Sequence, residues 1–253
     1  MPMPSDTLDL SGFKQTPVRQ PDRSWEDVLW IDTGSVNVYL CRDADGFTLI
    51  DSAMPGKADL IFARLAEWGG GPTDLKRIVI THADMDHAGS AATIQARSGA
   101  TVYAGAATAA LLAEGRSPRH MPQPVQFLLD HFVRYKAVDR AAIRPLADGD
   151  ELPVLGGLRV LAAPGHTLEQ HALYSPSAGV LFAGDALNTR DGQLQLTPRR
   201  ITADQAAAER TAARLLQLSP AVVACGHGAP LVDNRAAIAD LLTRLAAATG
   251  KET

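Results

Sequence analysis

Short runs of β-branched and apolar residues alternate with stretches of helical periodicity, and this alternation limits the possible folds more than any other feature. Three such runs, DVLWI, VNVYLC and FTLID, are each closed by Gly or Asp and predict an antiparallel meander. Apolar residues then recur at helical spacing from Lys57 to Trp68, and the glycines at 69–71 predict the end of that helix. The run KRIVI follows as a buried strand. Strands that alternate with helices in this way indicate an α/β fold.

The second half of the chain repeats the style of the first. In the first half, helices predicted at 88–97 and 106–113 flank the strand ATVYA. In the second half, the runs LRVLAAP, HALYSP and GVLFAGD predict strands, followed by a helix at 203–218, the strand AVVAC and a helix at 234–248. We therefore expect two β-sheets flanked by helices, in one domain that covers 1–253.

The segment at about 114–141 departs from this pattern. A Pro-rich stretch, GRSPRHMPQPVQ, leads into the amphipathic stretch FLLDHFVRYKAV, which predicts a helical insertion over one face of the domain. Its apolar side chains leave three roles open, which are the roof of an apolar pocket, a homodimer contact and core packing. The residues concerned are Phe127, Leu128, Phe132 and Tyr135.

Composition excludes several classes of protein. The chain has 253 residues, of which 46% are hydrophobic and 21% charged, as in ordinary globular proteins. A net charge of −4 gives no basic surface for nucleic acid or an anionic membrane, so we expect neither as a partner. Two cysteines, Cys41 and Cys225, are too few for a disulfide framework. The N-terminal stretch MPMPSDTLDLSG lacks the features of a signal peptide, so we expect a cytoplasmic protein.

The stretch THADMDHAG places four potential metal ligands directly after the strand KRIVI. These are His82, Asp84, Asp86 and His87. A helix N-terminus needs a single capping residue, and four titratable groups are more than capping explains. Neutral imidazole and ionised carboxylate are common ligands of divalent metals. The stretch therefore predicts a metal site.

Three more candidate ligands follow strands later in the chain. His166 follows VLAAPG, Asp185 follows VLFAG and His227 follows VVACG. Each could be an ordinary turn residue if it stood alone. Side chains on turns at the carboxyl ends of buried strands can meet in one crevice. We therefore expect these three residues to join the cluster of the first half.

The stretches THADMDHAG, APGHT, LFAGD and CGHG resemble, in sequence and order, the motifs of the metallo-β-lactamase-fold hydrolases. The resemblance extends from about residue 28 to 231 and is specific to the superfamily but not to a substrate. It implies a four-layer αβ/βα sandwich with two divalent metals, most simply zinc. It also implies which residues bind them. His82, residue 84 and His166 hold one metal, Asp86, His87 and His227 hold the other, and Asp185 bridges both.

Asp84 departs from the resemblance, because the first motif of the family is usually His-x-His-x-Asp-His. Carboxylate is itself a good ligand, so we interpret Asp84 as a replacement rather than a lost site. Three aspartates and a bridging hydroxide would neutralise two divalent metals, whereas histidine at 84 would leave the site at +1. Because carboxylate is harder than imidazole, the change shifts the preference from zinc toward iron or manganese.

The resemblance implies a dinuclear hydrolase of a small-molecule ester, thioester, lactone or phosphoester that acts through a metal-bound hydroxide. Asp86 and Asp185 would position this hydroxide and are the predicted catalytic residues. Two alternatives stay open. One is an iron-dependent oxidoreductase of the dioxygenase type, which Asp84 would favour. The other is a non-catalytic binding protein whose metal site has degraded.

Further residues near the motifs receive roles from the sequence alone. Asp51 ends the run FTLID and is a candidate partner that orients a ligand. Cys225, two residues before His227, is interpreted as a buried strand-end residue. The remaining histidines are interpreted as non-ligands; they are His120, His131 and His171. Three arginines follow Asp185 and either bind an anionic substrate group or lie on a solvated loop; they are Arg190, Arg199 and Arg200.

Overall fold

The computed structural model describes residues 25–232 and 234–249. The stretch MPMPSDTLDLSG lies outside these ranges, so the expectation about a signal peptide stays a prediction, as does a single domain over 1–253. Within the described ranges, no helix is both long and apolar enough to cross a bilayer.

Two six-stranded mixed sheets form the centre of the structure, each with its strands in sequential order. The first sheet contains β1 (Val28–Asp32), β2 (Asn37–Asp43), β3 (Gly46–Ile50), β4 (Leu75–Ile80), β5 (Thr101–Gly105) and β6 (Ile143–Leu146). The second contains β7 (Glu151–Leu152), β8 (Leu158–Ala162), β9 (His171–Ser175), β10 (Val180–Gly184), β11 (Val222–Cys225) and β12 (Leu231–Val232). Strands β1 to β3 are antiparallel, β3 to β6 are parallel, and the second sheet is antiparallel except between β10 and β11.

Seven α-helices lie in the described ranges, with four single-turn 3₁₀ helices in the connections. The α-helices are α1 (Ala58–Glu67), α2 (Met85–Ala88), α3 (Ala91–Ser98), α4 (Ala106–Glu114), α5 (Gln123–Phe132), α6 (Gln205–Gln217) and α7 (Arg235–Thr249). The 3₁₀ helices are Pro72–Asp74, Arg140–Ala142, Arg190–Gly192 and Arg199–Ile201.

Strands that are buried on both faces explain the layered arrangement. Along β2, Val38 and Leu40 enter the core beneath α1, α3 and α4, whereas Tyr39 and Cys41 enter the core between the sheets. In the second sheet, Phe182 faces the core between the sheets, while neighbouring side chains of β10 join a third core beneath α6 and α7. Successive side chains of a strand point to opposite faces, so an apolar run serves two cores at once. The result is the predicted four-layer αβ/βα sandwich.

The antiparallel meander and the order of later strands and helices are confirmed. Three strands were missed, β6, β7 and β12. Strand β6 contains Pro145, which weakens a strand pattern and is tolerated because β6 lies at the edge of its sheet. The other two strands have two residues each, too few for a periodic pattern. The helix predicted at 88–97 begins later, because α2 and α3 are separate helices.

The segment at 114–141 contains one α-helix, α5. Phe127, Leu128 and Phe132 are 57%, 54% and 74% exposed, so the alternative of core packing is wrong for these three. Tyr135 is buried, and its hydroxyl oxygen lies 3.1 and 2.9 Å from the carbonyl oxygens of Ala83 and Arg116, which share its one proton. The segment is therefore fastened to the loop that carries the first metal motif.

Candidate metal centre

The seven candidate ligands converge at one edge of the two sheets. His82 and its neighbours follow β4, His166 follows β8, Asp185 follows β10 and His227 follows β11. The chain brings them together by direct bonds between the sheets beside the site: the backbone N–H of His171 donates to Thr81, and that of Asn37 donates to Gly226. Because both sheets end here, residues distant in sequence meet.

Three overlapping groups of ligand atoms are each compact enough to hold one ion, with all atoms of a group within 4.8 Å of one another. One of them, His82, His87 and Asp185, shares a histidine with each of the other two. We call His82, Asp84 and His166 the first ligand group, and Asp86, His87 and His227 the second ligand group. In the first group, Asp84 Oδ2 lies 3.4 Å from His82 Nε2 and 3.1 Å from His166 Nε2. Two ligand atoms of a tetrahedral zinc ion lie about 3.4 Å apart, so these spacings suit such a metal.

Asp185 lies between the two ligand groups. Its Oδ1 is 3.2 Å from His87 Nε2, and its Oδ2 is 3.2 Å from His227 Nε2 and 3.7 Å from His166 Nε2. Each carboxylate oxygen thus faces the second group, and Oδ2 also faces the first. Asp185 is 5% exposed, so this carboxylate is held inside the cluster rather than in solvent. This is the position that a carboxylate shared by two ions would occupy.

Hydrogen-bond partners at Nδ1 fix the ring orientation of three of the histidines. The Nδ1 atoms of His82, His87 and His227 lie 3.0, 2.8 and 2.8 Å from the Thr81 hydroxyl, the Asp51 carboxylate and the Ser35 carbonyl oxygen. Such bonds orient the ring and leave Nε2 available for a metal.

Several buried atoms at the centre have no hydrogen-bond partner among the described residues. They include Nε2 of His82, Nε2 of His87 and Oδ1 of Asp185. A buried polar atom without a partner costs about 1–3 kcal/mol, so each needs an explanation. Imidazole nitrogens and carboxylate oxygens gathered around a common point are the ligands that a divalent metal uses. The residues present therefore fit bound divalent metal.

Asp51 supports the second ligand group from behind. Its Oδ2 faces His87 Nδ1 at 2.8 Å, while its Oδ1 accepts a hydrogen bond from the backbone N–H of Thr81 at 2.8 Å. Asp51 has φ +59°, a left-handed conformation that aspartate tolerates better than most residues. The carboxylate thus connects Thr81, at the start of the motif, with His87, the candidate ligand at its end.

The charges of the cluster act on one another strongly. Burial alone would raise the pKa of Asp84 and of Asp185. The imidazoles of His166 and His82 nevertheless lower the pKa of Asp84, and those of His87 and His227 lower the pKa of Asp185 well below its usual range. Burial would likewise lower the pKa of His87, but the carboxylates of Asp185 and Asp51 raise it well above its usual value. Positive charge at this point is therefore strongly favoured.

Gly226 allows the closest approach in the cluster. A Cβ atom at this position would contact Asp185 Oδ1 and would lie 2.6 Å from a ring carbon of His87. Any larger residue would displace a ligand side chain. The glycine of the motif CGHG is thus explained by the limited space beside the candidate ligands Asp185 and His87.

The structure also locates the other residues of the sequence analysis. Cys225 is fully buried at the end of β11, as interpreted, and its carbonyl oxygen accepts a hydrogen bond from the Tyr39 hydroxyl. The three arginines are exposed, which agrees with a solvated loop; they are Arg190, Arg199 and Arg200.

His120 lies beside the first ligand group, whereas the sequence alone predicts it to be a non-ligand. Its Nε2 is 3.3 Å from Asp84 Oδ2. His131 is exposed, and its Nδ1 pairs with the carbonyl oxygen of Phe127. No motif surrounds His120 in the sequence. Its only signal there was its position in the insertion, whose placement over the ligand groups is a property of the folded chain.

The layered fold and the convergent ligands define a class, the metal-dependent hydrolases built on an αβ/βα sandwich. The family model of the metallo-beta-lactamase superfamily matches residues 31–227, so the chain belongs to this superfamily and is a metallo-hydrolase.

Individual relatives agree with this assignment. The chain is 26% identical to the probable metallo-hydrolase YflN of Bacillus subtilis, over 83% of this chain and 87% of the relative. It is 35% identical to a hydroxyacylglutathione hydrolase of Rhodobacter capsulatus, over 45% of this chain and 34% of that protein. Among solved structures, a metallo-beta-lactamase family protein of Thermus thermophilus is 26% identical with a TM-score of 0.63, covering 87% of this chain and 80% of that one.

Proposed function

We propose that this protein is a dinuclear metallo-hydrolase that cleaves the acyl bond of a small-molecule ester, thioester or lactone. The observation that carries the proposal is the pair of ligand groups with Asp185 between them. One ligand group alone would support a single ion. Two groups with a buried carboxylate between them could hold two ions.

Two divalent metals, when bound here, would lower the pKa of water to give a nucleophile near neutral pH and would polarise the bond to be cleaved. Asp86 and Asp185 are the residues that we propose for orienting the attacking water through their carboxylate oxygens. The side chain of Asp86 is 32% exposed, more than that of the other ligands, so it faces the side from which substrate arrives. Asp185 is enclosed and fixes the opposite side of the centre.

Acyl substrates suit the charge of the centre better than phosphoesters. With Asp84, Asp86 and Asp185 ionised, two divalent ions and one hydroxide give a net charge of zero. A neutral centre attracts an anionic phosphodiester less than a positive centre does. The arginines after Asp185 are exposed and form no described contact with the ligand groups. The similarity to hydroxyacylglutathione hydrolases adds support for a thioester, although the chain spans only 34% of that relative.

Metal analysis combined with hydrolysis assays tests the proposal. We expect purified protein to carry about two equivalents of divalent metal, with zinc as the expected metal, and to hydrolyse thioester, ester or lactone probes faster than phosphodiester probes. Chelation should abolish the activity, and added metal should restore it. Protein that binds fewer than two ions, or that hydrolyses none of these probes when fully loaded, would contradict the proposal.

An iron-dependent oxidoreductase is the second candidate, and the observation that favours it is the carboxylate of Asp84 inside the first ligand group. Elemental analysis of protein from cells supplied with both metals separates the two candidates. Near-stoichiometric zinc and hydrolysis without oxygen consumption support the hydrolase. Stoichiometric iron with oxygen consumption would support the oxidoreductase.

A further inference from the structure

We propose that His120 is a fourth protein ligand in the first ligand group, supplied by the insertion at 114–141 in place of the histidine that the motif lacks at position 84. The proposal rests on the two-metal centre proposed above. It assigns the insertion a direct part in metal binding.

The distances around Asp84 are the first observation that supports a fourth ligand. His120 Nε2 lies 3.3 Å from Asp84 Oδ2, and the corresponding atoms of His82 and His166 lie at 3.4 and 3.1 Å. Three imidazole nitrogens therefore surround one carboxylate oxygen at nearly equal distances. Each of these three separations from Asp84 is close to the spacing of about 3.4 Å between two ligand atoms of one ion. The rings of His120 and His166 also approach each other, with centroids 4.7 Å apart.

The burial of His120 is the second observation that supports a fourth ligand. The residue is 8% exposed, and neither of its ring nitrogens has a hydrogen-bond partner among the described residues. An imidazole with two unsatisfied buried nitrogens is costly, and such a group calls for a specific cause. By contrast, the Nδ1 atoms of His131 and His171 have carbonyl partners. A metal bound by Nε2 would account for the position of His120.

The local structure holds His120 in place. Gln126 of α5 is buried, and its Oε1 accepts hydrogen bonds from the backbone N–H groups of His120 and Met121, both at 3.1 Å. The far end of the insertion is fastened by Tyr135, whose hydroxyl donates to the carbonyl oxygen of Ala83, between two ligands. The turn that carries His120 is therefore fixed to both α5 and the metal loop, as an orienting scaffold for a ligand requires.

A fourth ligand would also explain how the first group tolerates aspartate at 84. With His120, the group offers three imidazoles and one carboxylate, drawn from three separate connections of the fold. Asp84 would then be one ligand beside three imidazoles, which accounts for its contacts with all three histidines. In this arrangement, removal of His120 weakens the binding of one ion and leaves the second ligand group intact.

Metal titration of His120→Ala tests the proposal, with His131→Ala as the matched control from the same insertion. Competition with a chelator gives the two zinc affinities, and the visible spectrum of the cobalt-substituted protein reports coordination. We expect His120→Ala to bind one ion as the wild type does and the other about 100-fold more weakly, with a changed cobalt spectrum. The control should match the wild type in both measurements. A His120→Ala protein with unchanged affinities and spectrum would overturn the proposal, even if its activity fell.

The double variant Asp84→His/His120→Ala supplies an independent test, because it moves the histidine back to the motif. We expect it to recover at least about tenfold of the affinity that His120→Ala loses. No recovery would count against replacement of one histidine by the other. His120→Gln, which keeps a polar side chain of similar size, substitutes for the alanine variant if that variant does not fold. Wild-type protein that fails to bind two ions would overturn this proposal together with the proposed function, whereas two ions with an unaffected His120→Ala would overturn this one alone.

Discussion

Asp84 has more ionisable neighbours than its place in the motif suggests. Its Oδ2 lies within 3.4 Å of three imidazole nitrogens, from His82, His120 and His166. A degraded site would leave such a carboxylate turned toward solvent or paired with a single partner. The enclosure of Asp84 instead supports its interpretation as a ligand that replaces histidine.

A substitution at Asp51 tests whether the orientation of His87 affects metal binding, because Asp51 contacts His87 without being a candidate ligand itself. We expect Asp51→Asn to weaken the affinity of the second ligand group for zinc by about 10–100-fold, because the amide can no longer accept both hydrogen bonds that fix His87 and Thr81. Isothermal titration with zinc measures the change. Asp59→Asn is the control, since the Asp59 side chain is 90% exposed and pairs only with Arg97 in the described structure. An Asp51→Asn protein that binds both ions normally would show that His87 needs no such support.

At the scale of elements, sequence and structure agree where a pattern is local. The strand KRIVI and the four polar residues after it are adjacent in sequence, so both the strand and the ligand candidates could be predicted from a short window. The convergence of His166, Asp185 and His227 followed from their positions after strands. His120 could not be predicted this way, because its place depends on how α5 and its flanking loops fold over the sheet edge. The short strands β7 and β12 were missed for a related reason, since tertiary pairing alone defines them.

The attachment of the insertion depends on Tyr135. We expect Tyr135→Phe to lower the free energy of unfolding by about 1–2 kcal/mol, because the buried carbonyl oxygens of Ala83 and Arg116 lose their hydroxyl donor. Urea denaturation measures this loss. Tyr174→Phe is the matched control, since its hydroxyl makes a longer bond of 3.4 Å near the surface, and it should change stability by less than about 0.5 kcal/mol. Equal effects of the two substitutions would contradict a structural role for Tyr135.

At the scale of the whole molecule, the candidate metal centre draws its residues from both sheets. His82 and His87 belong to the first half, whereas His166, Asp185 and His227 belong to the second. Metal that binds only the folded protein should raise stability by about 2.7 kcal/mol at a free concentration 100 times its dissociation constant. Bound metal should stabilise both halves of the chain together, because neither half holds a complete centre.

The pH dependence of stability should differ between metal-free and metal-loaded protein. Without metal, the lowered pKa of Asp185 contributes stability that is present above about pH 4 and is lost as pH falls through that lowered pKa. The raised pKa values of His87 and His166 contribute stability that is full below about pH 6.5 and is lost as pH rises through them. We therefore expect metal-free protein to lose stability as pH rises above about 6.5, whereas loaded protein should not, because metal has replaced the protons.

Urea denaturation at a series of pH values, after chelation and after reloading with zinc, measures this difference. The comparison uses one protein in two states, so no substitution is needed. Metal-free protein whose stability rises over this range would contradict the charge coupling described for the cluster.

The bonds that close the centre join residues far apart in the chain. Asn37 donates a side-chain hydrogen bond to the carbonyl oxygen of Cys225, and the ring of His227 is held by Ser35, so these contacts span 188 and 192 residues. Contacts of such long range require the closure of long loops, whose entropic cost slows their formation. A growing chain therefore cannot complete either ligand group until its second half has been synthesised. Metal should enter after the two sheets have docked, as the final step of maturation.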